Sequence, residues 1–354
     1  MPHIHGPLPL HRARLHATPA LDGIDLPARL GRALWVWGAL IVLLWPAHLC
    51  ANPLWDRTVD FFSLRYAFLT QMIAGSVMVG VTCGLLGTFM VLRRLSLMGD
   101  ALGHAALPGV GLAFILVQSK SMGPIVIGAA GTAMLAALAV GYITRHSRTY
   151  PDAALGMVMA AFFGLGVVLL SYIQNMPSAA KSGLSHFLFG NAAAIHPDEL
   201  WLLGALMLLT IGAVVALYRP LELFTFDQNL ARTMGLPVRA LHYGMMILVA
   251  LTIVASIQAV GVVLVAAMLI TPASTAYLLT DRLPIMLVLS ALIGAFSGLA
   301  GALLSFLFDG FASGPSMVVV ASGLFALAFV FAPRRGQVAQ WWHRRQRRRA
   351  PTGP

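Results

Sequence analysis

Asp100 and His104 stand four positions apart in an otherwise apolar run, residues 97–117, LMGDALGHAALPGVGLAFILV. On an α-helix that spacing puts both side chains on one face. A carboxylate and an imidazole on one face can hold the same cation, and hard oxygen with borderline nitrogen suits Mn, Fe(II) or Zn. The plainer alternative is that Asp100 caps a helix starting at Ala101 while His104 bonds a backbone carbonyl. Pro108, Gly109 and Gly111 follow. Proline removes a backbone donor, so a helix broken here would expose carbonyl oxygens beside the ionisable pair.

A second informative segment is Leu221–Pro237, LELFTFDQNLARTMGLP. Asp227 is a good N-cap, Gly235 a good residue to end on, and Pro237 blocks continuation. The expected product is one short helix, Gln228–Met234, with Leu230 and Met234 on one face. A helix this short needs a partner surface. Lipid headgroups, its own bundle, or a groove on a separate cytoplasmic protein would each serve.

Other chemistry is missing from the sequence. The only lysines, Lys120 and Lys181, do not follow glycine, so there is no Walker A loop and no nucleotide-hydrolysing domain. There is no HExxH, no GxSxG in a strand–helix context and no CxxC pair. Cys50 and Cys83 read as small buried hydrophobes.

The elements that must carry these residues follow from composition. Of 354 residues, 59% are hydrophobic and 10% charged, with mean hydropathy +0.84. A soluble domain carries about 25% charged residues. The apolar runs are continuous, so an all-α polytopic membrane protein is expected and not a β-barrel of alternating strands. The runs fall at about 33–51, 66–92, 97–117, 123–145, 152–174, 198–218, 240–258, 261–280, 284–307 and 315–332. They predict about ten spans, with eight or nine as alternatives. The stretch 240–280 reads either as two helices or as one helix with a re-entrant turn at Gly261. An uncleaved first helix fits 33–51, because the lead before it is long and no A-x-A-like site follows. Residues 1–32, with His3, His5, His11 and His16, read as a disordered cytoplasmic lead, 33–332 as the membrane domain, and 333–354 as a basic cytoplasmic tail.

Charge placement agrees with ten spans. With the N-terminus inside, 19 of the 23 Lys/Arg fall on the inner side, and Arg57, Arg65, Lys120 and Lys181 fall outside. The positive-inside rule therefore predicts two cytoplasmic termini. The net charge of +11 belongs to these loops and to a tail lying near anionic lipid, and not to a nucleic-acid site. Small-residue pairs Gly80/Gly84, Gly99/Gly103 and Gly294/Gly298 predict close helix approach.

The run LRRLSLMGDALGHAALPGVGLAF resembles the signature of the membrane permeases of zinc/manganese/iron(II) ABC importers, the ABC-3 permease family. The likeness continues in FDQNLARTMGLP, in QAVGVVLVAAMLITPASTAYLLTDRL and in SGLAGALLSFLFDGFASGPSMVVV, and covers about residues 66–332. It implies a type II-like importer permease bundle that carries a divalent transition metal across the bacterial inner membrane. On this likeness the chain has no enzymatic activity and no permanent cofactor. Two separate cytoplasmic ATP-binding subunits would supply energy, an extracytoplasmic metal-binding protein would deliver the ion, and the permease would be a homodimer. The resemblance assigns the metal to Asp100 and His104, and ATPase coupling to Phe226, Asp227, Leu230, Ala231, Met234, Gly235 and Leu236. Family members commonly read Gly-Asp-Ala-x-Ser-His; Gly103 stands where they carry serine, so a supporting hydroxyl is lost while both ligands remain. The extra run 33–51 lies outside the common core.

Two other readings stay open at this level. A permease for haem, cobalamin or a siderophore would have a wide apolar cavity that Asp100 and His104 do not face. A self-sufficient secondary transporter would need no ATPase, but no convincing inverted repeat is present. Among zinc, manganese and iron(II) the ligand types do not choose.

Overall fold

The computed structural model describes residues 53–63, 67–117, 122–175, 192, 195–308 and 310–332. The lead 1–32, the apolar run 33–51 and the tail 333–354 lie outside the described residues. By internal contacts the chain divides into two units, Met1–Leu54 and Trp55–Pro354, and the packing below belongs to the second.

Among the described residues the regular structure is helical. In lipid this is what the backbone requires, because a helix satisfies its own N–H and C=O groups. The helices are α1 (Pro53–Phe62), α2 (Ala67–Leu92), α3 (Leu97–Val117), α4 (Met122–His146), α5 (Pro151–Gln174), α6 (Pro197–Ala216), α7 (Tyr218–Phe226), α8 (Gln228–Thr233), α9 (Val238–Val260), α10 (Val262–Leu279), α11 (Leu283–Leu307) and α12 (Ser313–Phe331). Eight of the described helices, α2–α6, α9, α11 and α12, are long and apolar enough to cross a membrane. The apolar part of α10, Leu264–Leu279, is shorter. Of the nine described runs expected to span, eight form such helices and the ninth, 261–280, forms the shorter α10.

The break between α9 and α10 resolves the ambiguity over 240–280 in favour of two helices. Gly261 has φ 92° and ψ 154°, a backbone conformation essentially reserved for glycine. Its N–H closes α9 on Ile257 O at 2.7 Å, and its carbonyl starts α10 by accepting from Val265 N at 3.1 Å.

α10 is the central element. Its Val265, Met268, Leu269, Ala273 and Ala276 are fully buried, and it packs against α2, α3, α11 and α12. The largest seam joins α2 to α11. There Ser76, Gly80 and Gly84 meet Gly298, Gly294 and Ser290 in antiparallel register, so close that a Cβ on Gly80, Gly84, Gly294 or Gly298 would overlap the opposing backbone. Ser290 Oγ donates to Gly84 O across this seam at 2.6 Å. The predicted pairs Gly80/Gly84 and Gly294/Gly298 are thus two halves of one interface. The third pair packs elsewhere: Gly99 faces Ala266 and Leu269, and Gly103 faces Val262, so both hold α3 against α10.

Two elements went unread in the sequence. α1 fills part of what reads as a plain outer loop; Phe61 packs on Phe306 at 5.7 Å and Arg57 Nη1 donates to Leu307 O at 3.1 Å. α7 follows α6 after a break at Leu217. Pro220 sits in its first turn, where the missing N–H has no helical partner to lose.

Candidate functional site

α3 begins at Leu97, three residues before Asp100. Asp100 is therefore inside the helix and is not the N-cap of one starting at Ala101. The helix also runs unbroken through Pro108, contrary to the expected interruption. Pro108 still has no N–H to give the carbonyl four residues earlier, and that carbonyl belongs to His104. The straight course has a packing reason. Pro108 lies against Gly166 of α5, and Gly109 meets Gly128 of α4 backbone to backbone, so neighbouring helices hold the turn in place.

The pair is where the spacing puts it. His104 Nε2 lies 3.4 Å from Asp100 Oδ1. Two donors each about 2.1 Å from one ion, at a tetrahedral angle, stand about 3.4 Å apart. The side chains are 20% and 39% exposed for His104 and Asp100. An ionised carboxylate facing lipid at mid-membrane costs about 2.5–3.5 kcal/mol on insertion scales. The open side of Asp100 therefore calls for protein, water or a cation, not lipid tails. His104 Nδ1 is buried and has no hydrogen-bond partner among the described residues. Such orphaned polar atoms are rare and call for an explanation. Phe163 of α5 meets the imidazole edge to face at 4.9 Å and fixes the ring. No third His, Cys, Asp or Glu joins the pair among the described residues. Among the described residues one chain supplies two side-chain donors.

The second constellation folds as its capping residues dictate. Asp227 Oδ1 accepts from Asn229 N at 2.9 Å and Leu230 N at 3.0 Å, which caps α8. The helix ends at Thr233, one residue earlier than the sequence suggests, with Met234 as its C-cap. Gly235 has φ 78°, its N–H reaches Arg232 O at 3.0 Å, and Leu236 N reaches Ala231 O at 3.0 Å. That pair of bonds is a Schellman motif. Ala231 points inward and is fully buried, Leu236 is half-buried, and Phe226, Leu230 and Met234 are exposed. Three large apolar side chains thus stand outward on a polar connecting segment, and none serves the bundle's own core.

A further cluster was not legible as one. Arg93, in the turn between α2 and α3, stacks over the Phe224 ring of α7 at 4.0 Å and donates from Nη1 to His242 Nδ1 of α9 at 3.4 Å. Burial pushes the Arg93 guanidinium down to about 10, which leaves it charged at neutral pH. Arg145 lies over Tyr243 at 4.8 Å. The sequence offered only basic residues in loops predicted to lie on the inner side; their aromatic partners come from distant elements. Glu199 also escaped notice as a buried carboxylate inside a predicted span. It sits in the first turn of α6, where its Oε2 accepts from His196 N at 3.2 Å.

A bundle with eight helices long and apolar enough to cross a membrane defines a polytopic membrane protein. The chain belongs to the ABC 3 transport family, whose profile matches residues 65–332. It is 43% identical to the manganese transport system membrane protein MntC of Halalkalibacterium halodurans over 279 residues, covering 79% of this chain and 92% of that one. It is 40% identical to the chelated iron transport system membrane protein YfeD of Yersinia pestis, covering 75% and 86%. It is 36% identical to the zinc transport system membrane protein TroC of Treponema pallidum, covering 78% and 93%. Among solved structures it is similar to PsaBC from Streptococcus pneumoniae in complex with Fab, with TM-score 0.69, 34% identity, and coverage of 78% of this chain and 97% of that one. An inward-facing putative metal-chelate type ABC transporter shares the fold at TM-score 0.60 and 18% identity.

Proposed function

We propose that this chain is the membrane-spanning subunit of an ATP-driven importer that carries Mn, Zn or Fe(II) across the bacterial inner membrane, with Asp100 and His104 as its intramembrane cation ligands. The observation that carries this is the 3.4 Å Nε2–Oδ1 pair on α3. The relatives named for manganese, chelated iron and zinc support the cargo class. They do not choose within it, as expected of a carboxylate–imidazole pair.

The chain has no nucleotide site, so two separate cytoplasmic ATP-binding subunits drive it, docking on Phe226–Leu236. An extracytoplasmic metal-binding protein delivers the ion. Two side-chain donors fall short of the four or more that such an ion takes. A second copy of the permease, presenting the same pair, supplies the remainder, and this favours a homodimer. Both termini lie in the cytoplasm, as the inner-side excess of Arg requires.

The deciding experiment is uptake of radioactive manganese, zinc and iron(II) by cells that carry the importer with Asp100→Ala or His104→Ala. Each variant should lose uptake of the cargo metal while reaching the membrane in normal amount. Normal uptake in both would overturn the assignment. Reporter fusions at each end test the orientation, and a periplasmic signal from either end would contradict it.

A further inference from the structure

We propose that Arg93 is a positioning residue that carries movement of the ATPase-docking segment to α3, and so to the cation pair. This deepens the function proposed above and rests on it.

Arg93 touches three elements at once. Its own turn, residues 93–96, joins α2 directly to α3. The Phe224 ring beneath it is fully buried in α7, three residues before the Asp227 cap of α8. His242, which accepts its N–H, sits near the start of α9, just after the Gly235–Pro237 turn. The exposed docking residues Phe226 and Leu230 and the buried Phe224 are therefore on one short capped segment. Arg93 is held by both ends of that segment.

The connection onward to α3 is stiff. Arg93 N bonds Phe89 O at 3.0 Å, Leu95 N bonds Met90 O at 2.9 Å, and Met98 N bonds Leu95 O at 3.0 Å. Arg94 takes φ 57°, which a non-glycine residue adopts only under local constraint. A turn closed this tightly cannot absorb a displacement of Arg93. It must pass it to Leu97, three residues before Asp100. There is space for such a shift: a cavity of about 420 Å³ lies between Arg93, Met98, Leu155, Thr225, Gln228 and Met246.

The bond between the two parts is also suited to being remade. Among the described residues no carboxylate pairs with Arg93; it is held by an aromatic face and one imidazole nitrogen. A cation over a ring strengthens as water is excluded, and the planar guanidinium can stack on Phe224 and donate to His242 together. A lysine ammonium is a point charge and cannot do both. Arg145 over Tyr243 secures the neighbouring residue of α9 in the same way.

The test uses the permease with its ATP-binding subunits in proteoliposomes, fed with manganese(II), zinc(II) or iron(II), whichever the cells require. Metal uptake and phosphate release are measured together. Arg93→Ala and Phe224→Leu should each keep the ATP-binding subunits bound and hydrolysing ATP. The metal moved per ATP should fall about tenfold, the size of a typical coupling between linked sites. Arg93→Lys should remain uncoupled. The double variant should be no worse than either single one, as required when both changes break the same link. A merely structural role would instead lose subunit binding and hydrolysis together. If Arg93→Ala cannot be assembled, Phe224→Leu decides by the same ratio. An unchanged metal-to-ATP ratio overturns the inference. Asp100→Ala and His104→Ala run in parallel separate the two claims: lost uptake there with normal coupling in the Arg93 variant defeats only this inference, whereas normal uptake in both defeats the cation-site assignment on which it rests.

Discussion

Gly80 of α2 and Gly294 of α11 meet backbone to backbone, and a Cβ on either would overlap the carbonyl of the other. Lipid tails are as apolar as a leucine, so burial alone does not drive helices together in a membrane. Close backbone approach, with Ser290 donating to Gly84 O, takes over that role.

Gly80→Leu should therefore force the two helices apart. Overpacking of this kind costs about 1–3 kcal/mol or more, read as a lowered Tm of the detergent-solubilised permease and a smaller folded yield. Gly323→Ala is the comparison, since nothing lies within 4 Å of a Cβ there. Equal melting of both variants would show that this seam does not hold the bundle.

The Asp100–His104 pair makes a sharper demand. Asp100→Asn keeps size and helix but removes the charge, so a ligand role predicts loss of metal uptake by about tenfold to a hundredfold, at least that of changing a supporting residue. A purely structural pairing would instead lower stability and spare transport. Uptake and membrane abundance, measured on the same cells, separate the two.

Gly261 tests the break between α9 and α10. No side-chain-bearing residue is comfortable at φ 92° and ψ 154°. Gly261→Ala should cost about 1–3 kcal/mol as backbone strain. Val262 and its neighbours begin α10 immediately beside Gly103 of α3, so the damage should appear in transport as well as in melting. An alanine variant with unchanged Tm would mean that the segment relaxes into one continuous helix.

The legible part of this protein was the part written in local chemistry. Asp227, Gly235 and Pro237 specify a cap, a left-handed stop and a block, and the segment folds accordingly. The i,i+4 spacing of Asp100 and His104 suffices to bring them together, because helix geometry alone decides it. What the sequence concealed was tertiary. Apolar composition announces spans but not neighbours, so Phe224 and His242 as partners of Arg93 could not be read from inner-loop charge. The amphipathic α1 hid in a short loop. The unbroken course of α3 through Pro108 depends on Gly166 and Gly128 in other helices, which no local rule supplies.

The docking face proposed for α8 allows the most direct test of energy coupling. Leu230 and Met234 stand outward one helical turn apart, while Ala231 is buried against the bundle. α8 has six residues, too few to persist in water by itself even with a cap at each end. Its inner face is held by the bundle through Ala231, and its outer face is exposed, where the proposed ATP-binding subunit would place an apolar cleft. Replacing both Leu230 and Met234 with Asp would bury two unpaired charges in that cleft, which docking should not tolerate. The ATP-binding subunits should then fail to co-purify with the solubilised permease, and ATP-dependent uptake should vanish, while the permease alone keeps its Tm because neither side chain serves its core. Gly235→Val should act through the backbone, since φ 78° costs a side-chain-bearing residue about 1–2 kcal/mol. Gly235→Asn should be nearly neutral, because asparagine tolerates that conformation. Retention of the ATP-binding subunits and normal uptake in the double Asp variant would remove α8 as the coupling element and move the search to the inner loop between α4 and α5.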